Sequence, residues 1–316
     1  MSAIQKMIID ADTGIDDSIA ILHALKAADV KLEGITTVFG NSSVEQATDN
    51  TLRLIQLAQP DYEVPVAKGA AKPLVREWGG PVAHVHGNNG IGNVELPPSE
   101  QQPLAESAAQ FIVRKANEMP GEITLVTLGR LTNVALALEL DPELPSKLKK
   151  TVIMGGTVFA PGNVTPAVEA NLRGDPEAID RVIRSGMNIT LVGLDVTMKA
   201  KLNKQHLEQL ALVCRPENAA IVEYMQGALQ YYFGFYRQVD NLMNSCPLHD
   251  PLTVLVARKP GIVKTQQMKV QIECEGKVTA GAVIADLRTK PSEGDDITVC
   301  LGVDSEQVVH ELLSVF

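Results

Sequence analysis

The sequence lacks the features that mark nucleic-acid-binding, membrane-spanning and disulfide-rich proteins. It contains no long run of lysine and arginine, and its formal net charge is -10, whereas proteins that grip nucleic acid carry basic patches. No apolar stretch approaches the ~20 residues of a transmembrane helix, and Met7-Ile8-Ile9 runs directly into Asp10 without forming a signal-peptide core. We therefore expect a cytoplasmic protein that binds neither nucleic acid nor membranes.

Cysteines and aromatic residues are also scarce. The four cysteines form no C-x-x-C pair and are expected to stay reduced; they are Cys214, Cys246, Cys274 and Cys300. Aromatic residues make up only 4% of the chain, but hydrophobic residues make up 45%, with a mean hydropathy of +0.04. This composition supports a buried core. Because no Pro- or Ser-rich linker and no repeat divides the sequence, we expect residues 1–316 to form one domain.

Short apolar runs alternate with amphipathic segments through the first two-thirds of the chain. Such alternation predicts an α/β fold, a mostly parallel and Rossmann-like open sheet with helices on both faces. The predicted strands are Ile4–Ile9, Leu32–Phe39, Val64–Val66, Ile123–Val126, Thr151–Met154 and Ile189–Leu194, and the predicted helices are Asp16–Ala28, Val44–Leu57 and Ser305–Phe316. Met268–Cys300 alternates like a small antiparallel addition near the C-terminus. Lys68–Gln102 shows little periodicity and is expected to be a long functional or disordered loop.

Four aspartates fall within eight positions where the first predicted strand ends, in the segment Asp10-Ala11-Asp12-Thr13-Gly14-Ile15-Asp16-Asp17. Crowded carboxylates repel one another unless a positive charge lies among them, and hard cations such as calcium or magnesium prefer oxygen ligands. Helix capping would explain one or two of these aspartates but not four. An EF-hand is excluded because Ile15 and Ile21 occupy its glycine and glutamate positions. The segment predicts another kind of cation site.

Two alternatives from other functional classes stay open at this point. A strand that ends in D-x-D also begins magnesium-dependent phosphatases of the haloacid dehalogenase type, in which Asp10 would be the nucleophile. Asp295 and Asp296 would then serve as the late acidic pair, although they lie in the predicted antiparallel region. The second alternative is a non-catalytic ribose-binding protein of the same fold.

An ordered set of motifs resembles the inosine-uridine preferring nucleoside hydrolase family, with D-A-D-T-G-I-D-D as the signature loop. Further similar segments follow in the family's order along nearly the whole chain. They are Gly40-Asn41, L-G-R-L-T-N (128–133), M-G-G (154–156), G-N-V-T-P (162–166), E-A-N (169–171), D-P-E-A (175–178), G-L-D-V-T (193–197) and L-H-D-P-L (248–252). The resemblance implies hydrolysis of the bond between ribose and base.

The resemblance also implies a calcium ion held by Asp12, Asp17, Asp250 and the carbonyl of Leu128. Asp12 would additionally be the general base that takes a proton from water, and Asp10 would support the acidic loop. Ribose needs several hydrogen-bonding partners. The residues expected near it are Asp16, Asn41 and Asn171 for the 2′- and 3′-hydroxyls, and Asn163 and Glu169 for the 5′-hydroxyl, with Met154 packed alongside.

On the base side, the resemblance makes His249 the candidate proton donor, with an ordinary pKa near neutral pH. His86 would face the base, and Tyr232 and Tyr236, one helical turn apart, would lie on a helix that covers it. Homo-oligomerisation as a dimer or tetramer is implied by the family alone.

Three departures bear on the expected base preference and loop structure. Asn89 and Ala170 stand where the family commonly has aspartate and phenylalanine, so the loop anchor and the sugar pocket are expected to differ. The one tryptophan, Trp78, lies far from His249 in sequence. Without an indole near His249, the sequence fits a purine-selective subtype, which stacks the base between indoles, less well than a broad or pyrimidine-leaning subtype. The sequence does not identify the nucleoside.

Overall fold

The computed structural model describes residues 4–316. Eleven strands lie within these residues. They are β1 (Gln5–Ala11), β2 (Val30–Thr37), β3 (Val66–Lys68), β4 (Ile123–Thr127), β5 (Lys150–Met154), β6 (Ile189–Val192), β7 (Lys201–Asn203), β8 (Ser245–Pro247), β9 (Val263–Ile272), β10 (Val283–Ala285) and β11 (Asp295–Val303). Nine form one sheet in the order β10-β9-β11-β6-β5-β4-β1-β2-β3, and β7 and β8 form a separate antiparallel pair.

Thirteen α-helices connect or flank these strands in the described chain. They are α1 (Ile15–Lys26), α2 (Val44–Ala58), α3 (Ala83–His86), α4 (Ala108–Glu118), α5 (Thr132–Leu140), α6 (Leu144–Lys147), α7 (Ala170–Gly174), α8 (Pro176–Ile183), α9 (Leu194–Thr197), α10 (Lys204–Val213), α11 (Ala219–Val239), α12 (Asp250–Arg258) and α13 (Ser305–Leu313). Short 3₁₀ turns occur at Pro216–Asn218 and Pro260–Ile262.

Residues that alternate along the central strand β1 pack into two different cores. Met7 and Ile9 contact the core that includes helices α1, α2 and α12, whereas Ile8 belongs to the core on the opposite face, which includes α4, α5 and α8. This alternation follows from the pleat of a strand, in which successive side chains point to opposite faces. The predicted α/β fold with helices on both faces is confirmed.

The strand order places a topological switch between β1 and β4. From β1 the chain proceeds outward through β2 and β3, then returns to form β4, β5 and β6 on the other side of β1, all parallel. In open α/β sheets a crevice opens beyond the carboxyl ends of the strands at such a switch. The loop after β1 and the loop after β4 therefore meet at the position where a ligand is expected.

The predicted antiparallel addition is present but is part of the main sheet. β9 begins at Val263, earlier than predicted, and pairs antiparallel with β10 and β11, while β11 also pairs parallel with β6. Other boundaries differ by a few residues; β3 covers Val66–Lys68 instead of Val64–Val66. The long 68–102 segment contains the one-turn helix α3, and the β7–β8 pair was not predicted.

All four cysteines are unpaired, as expected: Cys246 and Cys300 are buried, and Cys214 and Cys274 are half-buried. No helix between residues 4 and 316 combines the length and the apolar character required to cross a lipid bilayer.

Candidate active site

The predicted site residues gather at the carboxyl edge of the parallel strands. Asp10 is part of β1, and Asp12 follows its last residue. Asp16 and Asp17 occupy the first turn of α1, and Asp250 is the first residue of α12. A helix N-terminus favours negative charge because its backbone N–H groups point outward. Two helix N-termini therefore deliver carboxylates to the same crevice.

The carboxylates of Asp16, Asp17 and Asp250 offer oxygen atoms that lie within 4.8 Å of one another. All three side chains are buried. Burial raises the pKa of Asp16 to about 6, and burial together with the neighbouring carboxylates raises the pKa of Asp17 and of Asp250 well above the usual range. The cluster concentrates acidic groups whose charge the protein alone does not balance.

Unpartnered oxygen atoms indicate that this crevice fits a hard cation. One carboxylate oxygen of each of Asp12, Asp16 and Asp17 is buried and accepts no hydrogen bond from the described residues. Such orphaned buried acceptors are costly, and a divalent cation would satisfy them. The Asp16–Asp17–Asp250 group differs from the predicted ligand set, which has Asp12 and the Leu128 carbonyl where this group has Asp16.

Asp12 is held through one of its two oxygens. Asp12 Oδ2 accepts a hydrogen bond from the backbone N–H of Asn41 at 2.7 Å and another from Arg130, while Oδ1 is the orphaned oxygen. Asn41 also donates its side-chain Nδ2 to Asp17 Oδ2 at 3.1 Å. Despite the nearby guanidinium of Arg130, burial raises the pKa of Asp12. Asp12 thus keeps one carboxylate oxygen free of hydrogen bonds within the described residues.

Asp10 lies behind the acidic loop. Its Oδ1 accepts hydrogen bonds from Thr36 Oγ1 at 2.5 Å and Asn133 Nδ2 at 2.7 Å. Asn133 Nδ2 also donates to the carbonyl of Thr37 at 2.9 Å, so the contact links β1, β2 and α5. Complete burial raises the pKa of Asp10 to about 7. These contacts fit a supporting role.

Apart from Asp16 and Asn41, the residues predicted to face the sugar form a second group, next to the ends of β4 and β5. Asn171 donates Nδ2 to the Leu128 carbonyl at 2.5 Å and to Met154 Sδ at 3.2 Å. Glu169 accepts hydrogen bonds from the N–H groups of Gly156, Asn171 and Leu172 and thereby caps α7. Asn163 is exposed, and its Oδ1 accepts the N–H of Ala170 at 3.0 Å. Asn163 is thus the outermost member of the group.

A chain of hydrogen bonds joins the predicted base-side residues. Tyr232 donates its hydroxyl to Asp16 Oδ2 at 3.1 Å and lies 3.5 Å from the hydroxyl of Tyr236. The Tyr236 hydroxyl lies 2.8 Å from His249 Nε2, and His249 Nδ1 lies 2.8 Å from Thr197 Oγ1. Helix α11 brings the two tyrosines together because residues four apart share a helix face. The chain runs from the acidic cluster to His249.

His86 lies on the other side of Tyr232, with ring centroids 5.7 Å apart. His86 Nδ1 accepts the N–H of Ile15 at 3.1 Å, so the neutral ring carries its proton on Nε2. Burial lowers the pKa of His86 to about 3 and that of His249 to about 4. The expectation of a His249 pKa near neutrality is therefore wrong, because a buried imidazole loses the solvation that favours its charged form.

Arg130 and Thr197 belong to the site but were not predicted. Both lie in motifs that carry the family resemblance, L-G-R-L-T-N and G-L-D-V-T. A histidine that acts through one ring nitrogen needs a partner for the other, and this requirement was the available signal for Thr197. No comparable local signal existed for Arg130.

Asn89 anchors its loop differently from the aspartate that the family pattern suggests. Its Oδ1 accepts the N–H groups of Ile91 at 3.0 Å and Asn93 at 2.9 Å, and its Nδ2 donates to the Val94 carbonyl at 2.9 Å. A carboxylate could make the first two contacts but not the third. The loop anchor is therefore retained in amide form.

The acidic pair required by the phosphatase alternative lies at the wrong edge of the sheet. Asp295 and Asp296 begin β11, which runs parallel to β6, so they lie at the amino edge. Asp10 and Asp12 lie at the carboxyl edge of the same sheet. The two groups cannot share one ligand.

Comparison with known proteins yields a consistent set of similarities. Residues 7–310 match the sequence model of the inosine-uridine preferring nucleoside hydrolase family. The chain is 39% identical to uridine nucleosidase 1 of Arabidopsis thaliana over 314 residues, covering 97% of this chain and 91% of that protein. It is 36% identical to the pyrimidine-specific ribonucleoside hydrolase RihA of Salmonella gallinarum, covering 97% and 96%. A solved purine-preferring ribonucleoside hydrolase from Gardnerella vaginalis superposes with a TM-score of 0.91 at 34% identity, covering 98% of each chain.

Proposed function

Since the chain belongs to the inosine-uridine preferring nucleoside hydrolase family and hydrolyses the N-glycosidic bond of ribonucleosides, we propose that it is a calcium-dependent enzyme with a preference for pyrimidine nucleosides. One observation carries the proposal: buried carboxylate oxygens without a hydrogen-bond partner belong to residues at the carboxyl edge of the sheet, and Asp16 among them is joined to the Tyr236–His249 pair through Tyr232.

Calcium would be held by Asp12, Asp17, Asp250 and the Leu128 carbonyl, with Asp16 beside them. The orphaned oxygens of Asp12 and Asp17 support this set, and an all-oxygen donor set with several carboxylates suits calcium. When bound, the ion supplies positive charge that offsets the carboxylates and polarises water and sugar hydroxyls.

The chain's own groups divide the proton transfers between two sides of the sugar. Water attacks the anomeric carbon and gives its proton to Asp12, while the bond from that carbon to the base nitrogen breaks through an oxocarbenium-like transition state. The departing base takes up a proton from His249. His249 gives up this proton as imidazolium and is left as neutral imidazole, whose Nδ1 lies beside the Thr197 hydroxyl.

Ribose would be held by polar groups that line the crevice on both sides of Asp12. Asp16 and Asn41 approach from the β1 and β2 side, and Asn171 from the β5 side, for the 2′- and 3′-hydroxyls. Glu169 and Asn163 would contact the 5′-hydroxyl, with Met154 packed against the sugar. The interactions of Asn171 with Leu128 and Met154 support this arrangement, because they fix the direction of its amide.

The pyrimidine preference rests on the base-side residues and on the named relatives. His86, Tyr232 and Tyr236 surround the position next to His249, and Trp78 packs against Phe39 instead. Two relatives are named for uridine or pyrimidine substrates, whereas one structural neighbour is named as purine-preferring. Uridine is therefore proposed as the preferred substrate.

We further propose that residues 1–316 work as one domain in a homodimer or homotetramer in the cytoplasm. The two cores pack against the same sheet, which supports one folding unit. The unpaired cysteines suit a reducing compartment. Oligomerisation rests on the family, and light scattering that gives a monomer at micromolar concentration would remove it.

A reducing-sugar assay on uridine, cytidine and inosine, with and without a calcium chelator, tests the main proposal. Release of ribose from uridine should exceed that from inosine and should be lost on chelation and restored by added calcium. Asp12→Asn serves as the inactive variant, and Asp29→Asn, which removes a carboxylate remote from the crevice, serves as the matched control. Ribose release that survives chelation would refute metal dependence, and faster release from inosine would refute the pyrimidine preference.

A further inference from the structure

Arg130 is the one lysine or arginine that is buried among residues 4–316, with 7% of its surface exposed. It lies in the loop after β4, which ends at Thr127. Its Nη1 donates to Asp12 Oδ2 and also lies 3.3 Å from Asn171 Oδ1. One cation thus bridges the proposed general base and a proposed ribose ligand.

Two glycines make the slot in which Arg130 lies. A Cβ on Gly40 would meet Arg130 Nη1 at 2.4 Å and Asp12 Oδ2 at 2.0 Å, and a Cβ on Gly174 would meet the Arg130 side chain at 2.6 Å. Neither glycine has a positive φ, so backbone conformation does not require glycine at either position. The missing side chains leave room for the guanidinium.

Burying the Arg130 guanidinium is energetically unfavourable unless nearby carboxylates compensate its charge. Its Nε is buried and has no hydrogen-bond partner in the described chain, and an unpaired buried donor is unfavourable. The carboxylates nearby offset this cost: Asp12 contacts Arg130 directly, and Asp16, Asp17 and Asp250 lie in the same buried cluster. Removing one partner of such a buried ion pair leaves an uncompensated charge.

We propose that Arg130 is a built-in counter-cation that keeps the acidic crevice formed when the metal ion is absent and that positions Asp12 with Oδ1 free. Arg130 and the ion neutralise the same carboxylates, so each reduces the stabilisation that the other provides. This inference rests on the proposed calcium site. It assigns Arg130 a positioning role, since it acts through Asp12 and Asn171.

The test compares melting temperatures of the purified full-length protein in chelator and in excess calcium. Arg130→Met removes the charge but keeps an unbranched side chain, and Arg130→Lys keeps the charge. Arg258→Met is the matched control, because Arg258 is 10% exposed and pairs with Asp29 at 2.6 Å at the opposite end of α12 from Asp250. Both methionine variants should melt earlier than the wild type in chelator.

The rise in melting temperature that calcium produces distinguishes a counter-cation role of Arg130 from a general contribution to stability. In Arg130→Met it should exceed the wild-type gain by about 2 °C or more, and calorimetric titration should give a lower dissociation constant for calcium. Arg258→Met and Arg130→Lys should show the wild-type gain. At saturating calcium, uridine turnover by Arg130→Met should fall about 10- to 100-fold, because Asp12 and Asn171 lose their shared donor.

Each outcome decides one point. A wild-type protein without any calcium-induced gain would overturn the proposed calcium site and leave the counter-cation role without its premise. A calcium-induced gain in Arg130→Met that is equal to or smaller than the wild-type gain would overturn the inference while the calcium site stands. If Arg258→Met also showed the larger gain, the effect would be general destabilisation and the inference would be wrong.

Discussion

Asp12 and His249 are proposed to transfer protons at different steps, the attack of water and the departure of the base, so their substitution should have different consequences. Asp12→Asn removes the group that accepts the proton of water, a step shared by every substrate. Turnover should therefore fall by about 10²–10⁴-fold for uridine, cytidine and an activated nitrophenyl riboside alike. Steady-state rates at saturating calcium measure this effect, with Asp29→Asn as the control that keeps wild-type turnover.

His249→Ala should instead depend on the leaving group. Natural bases depart poorly without a proton, whereas nitrophenolate needs none. Uridine turnover should fall strongly and nitrophenyl riboside turnover should change little, with general acid assistance worth about 10²–10⁴-fold. Equal slowing of both substrates would show that His249 is a structural or sugar contact and would contradict the proton-donor role.

Asn89 offers a prediction about stability instead of turnover. Asn89→Asp keeps the two acceptor contacts to Ile91 and Asn93 but places a carboxylate against the Val94 carbonyl. We expect a loss of about 1 kcal/mol in the free energy of unfolding. Thermal unfolding measures it, with Asn88→Asp as the control, since Asn88 is exposed in the same loop. A variant as stable as Asn88→Asp would show that the Nδ2 contact contributes nothing.

Residue patterns predicted part of this site and missed part of it for physical reasons. Four aspartates in eight positions are informative because charge repulsion demands a compensating cation. Arg130 gives no such signal in a single motif, since its slot is formed by Gly40 and Gly174, which are far apart in sequence. The pKa of His249 was also unpredictable, because burial, which the sequence does not specify, lowers it to about 4.

At the scale of elements, His23 joins three helices. From α1 its Nδ1 lies 2.9 Å from the Leu312 carbonyl on α13, and its Nε2 lies 3.2 Å from Arg258 on α12. The neutral ring donates from Nδ1 and accepts at Nε2. Burial lowers its pKa from 6.5 to about 4. The contact between His23 Nε2 and Arg258 therefore forms only while His23 is uncharged, because a protonated Nε2 cannot accept a hydrogen bond.

The pH dependence of stability follows from that lowered pKa. Between pH 6.5 and about 4 the unfolded chain binds a proton at His23 that the folded chain does not, so this group's contribution to stability falls as pH falls. His23→Gln should lose stability at pH 7.5 but should narrow its deficit toward pH 4.5, by up to roughly 3 kcal/mol. Denaturant unfolding at several pH values measures this, with the exposed His310→Gln as control. A deficit that is constant with pH would contradict it.

Elements with strong periodicity were predicted, and the shortest ones were not. β1 and α1 were recognised because a run of buried apolar residues meets an acidic helix start. β7 and β8 are three residues each and pair across more than 40 residues of chain, so neither carries a repeating pattern. β3 was shifted by two residues because pairing with β2, a tertiary contact, defines it.

At the scale of the whole molecule, the proposed ion would join segments that are distant in sequence. Asp17 comes from α1, the Leu128 carbonyl follows β4, and Asp250 begins α12. Parallel strands bring these segments together only after long crossover connections have formed. The sequence indicated parallel strands but not their order in the sheet. That order makes β1 and β4 adjacent, and the loops after them are neighbours for this reason.

Calcium should therefore slow hydrogen exchange at three separated places at once. We expect greater protection in excess calcium than in chelator for the backbone amides of the 12–18 segment, the 128–133 segment and the first turn of α12. A ligand at about 100 times its dissociation constant stabilises the bound state by ~2.7 kcal/mol, enough to lower exchange through local opening about 100-fold.

The distant edge strand β10 should exchange equally in both conditions. Asp250→Asn should abolish the calcium effect at all three places together. Protection confined to the 12–18 segment would mean that the ion binds the acidic loop alone and does not cross-link the molecule.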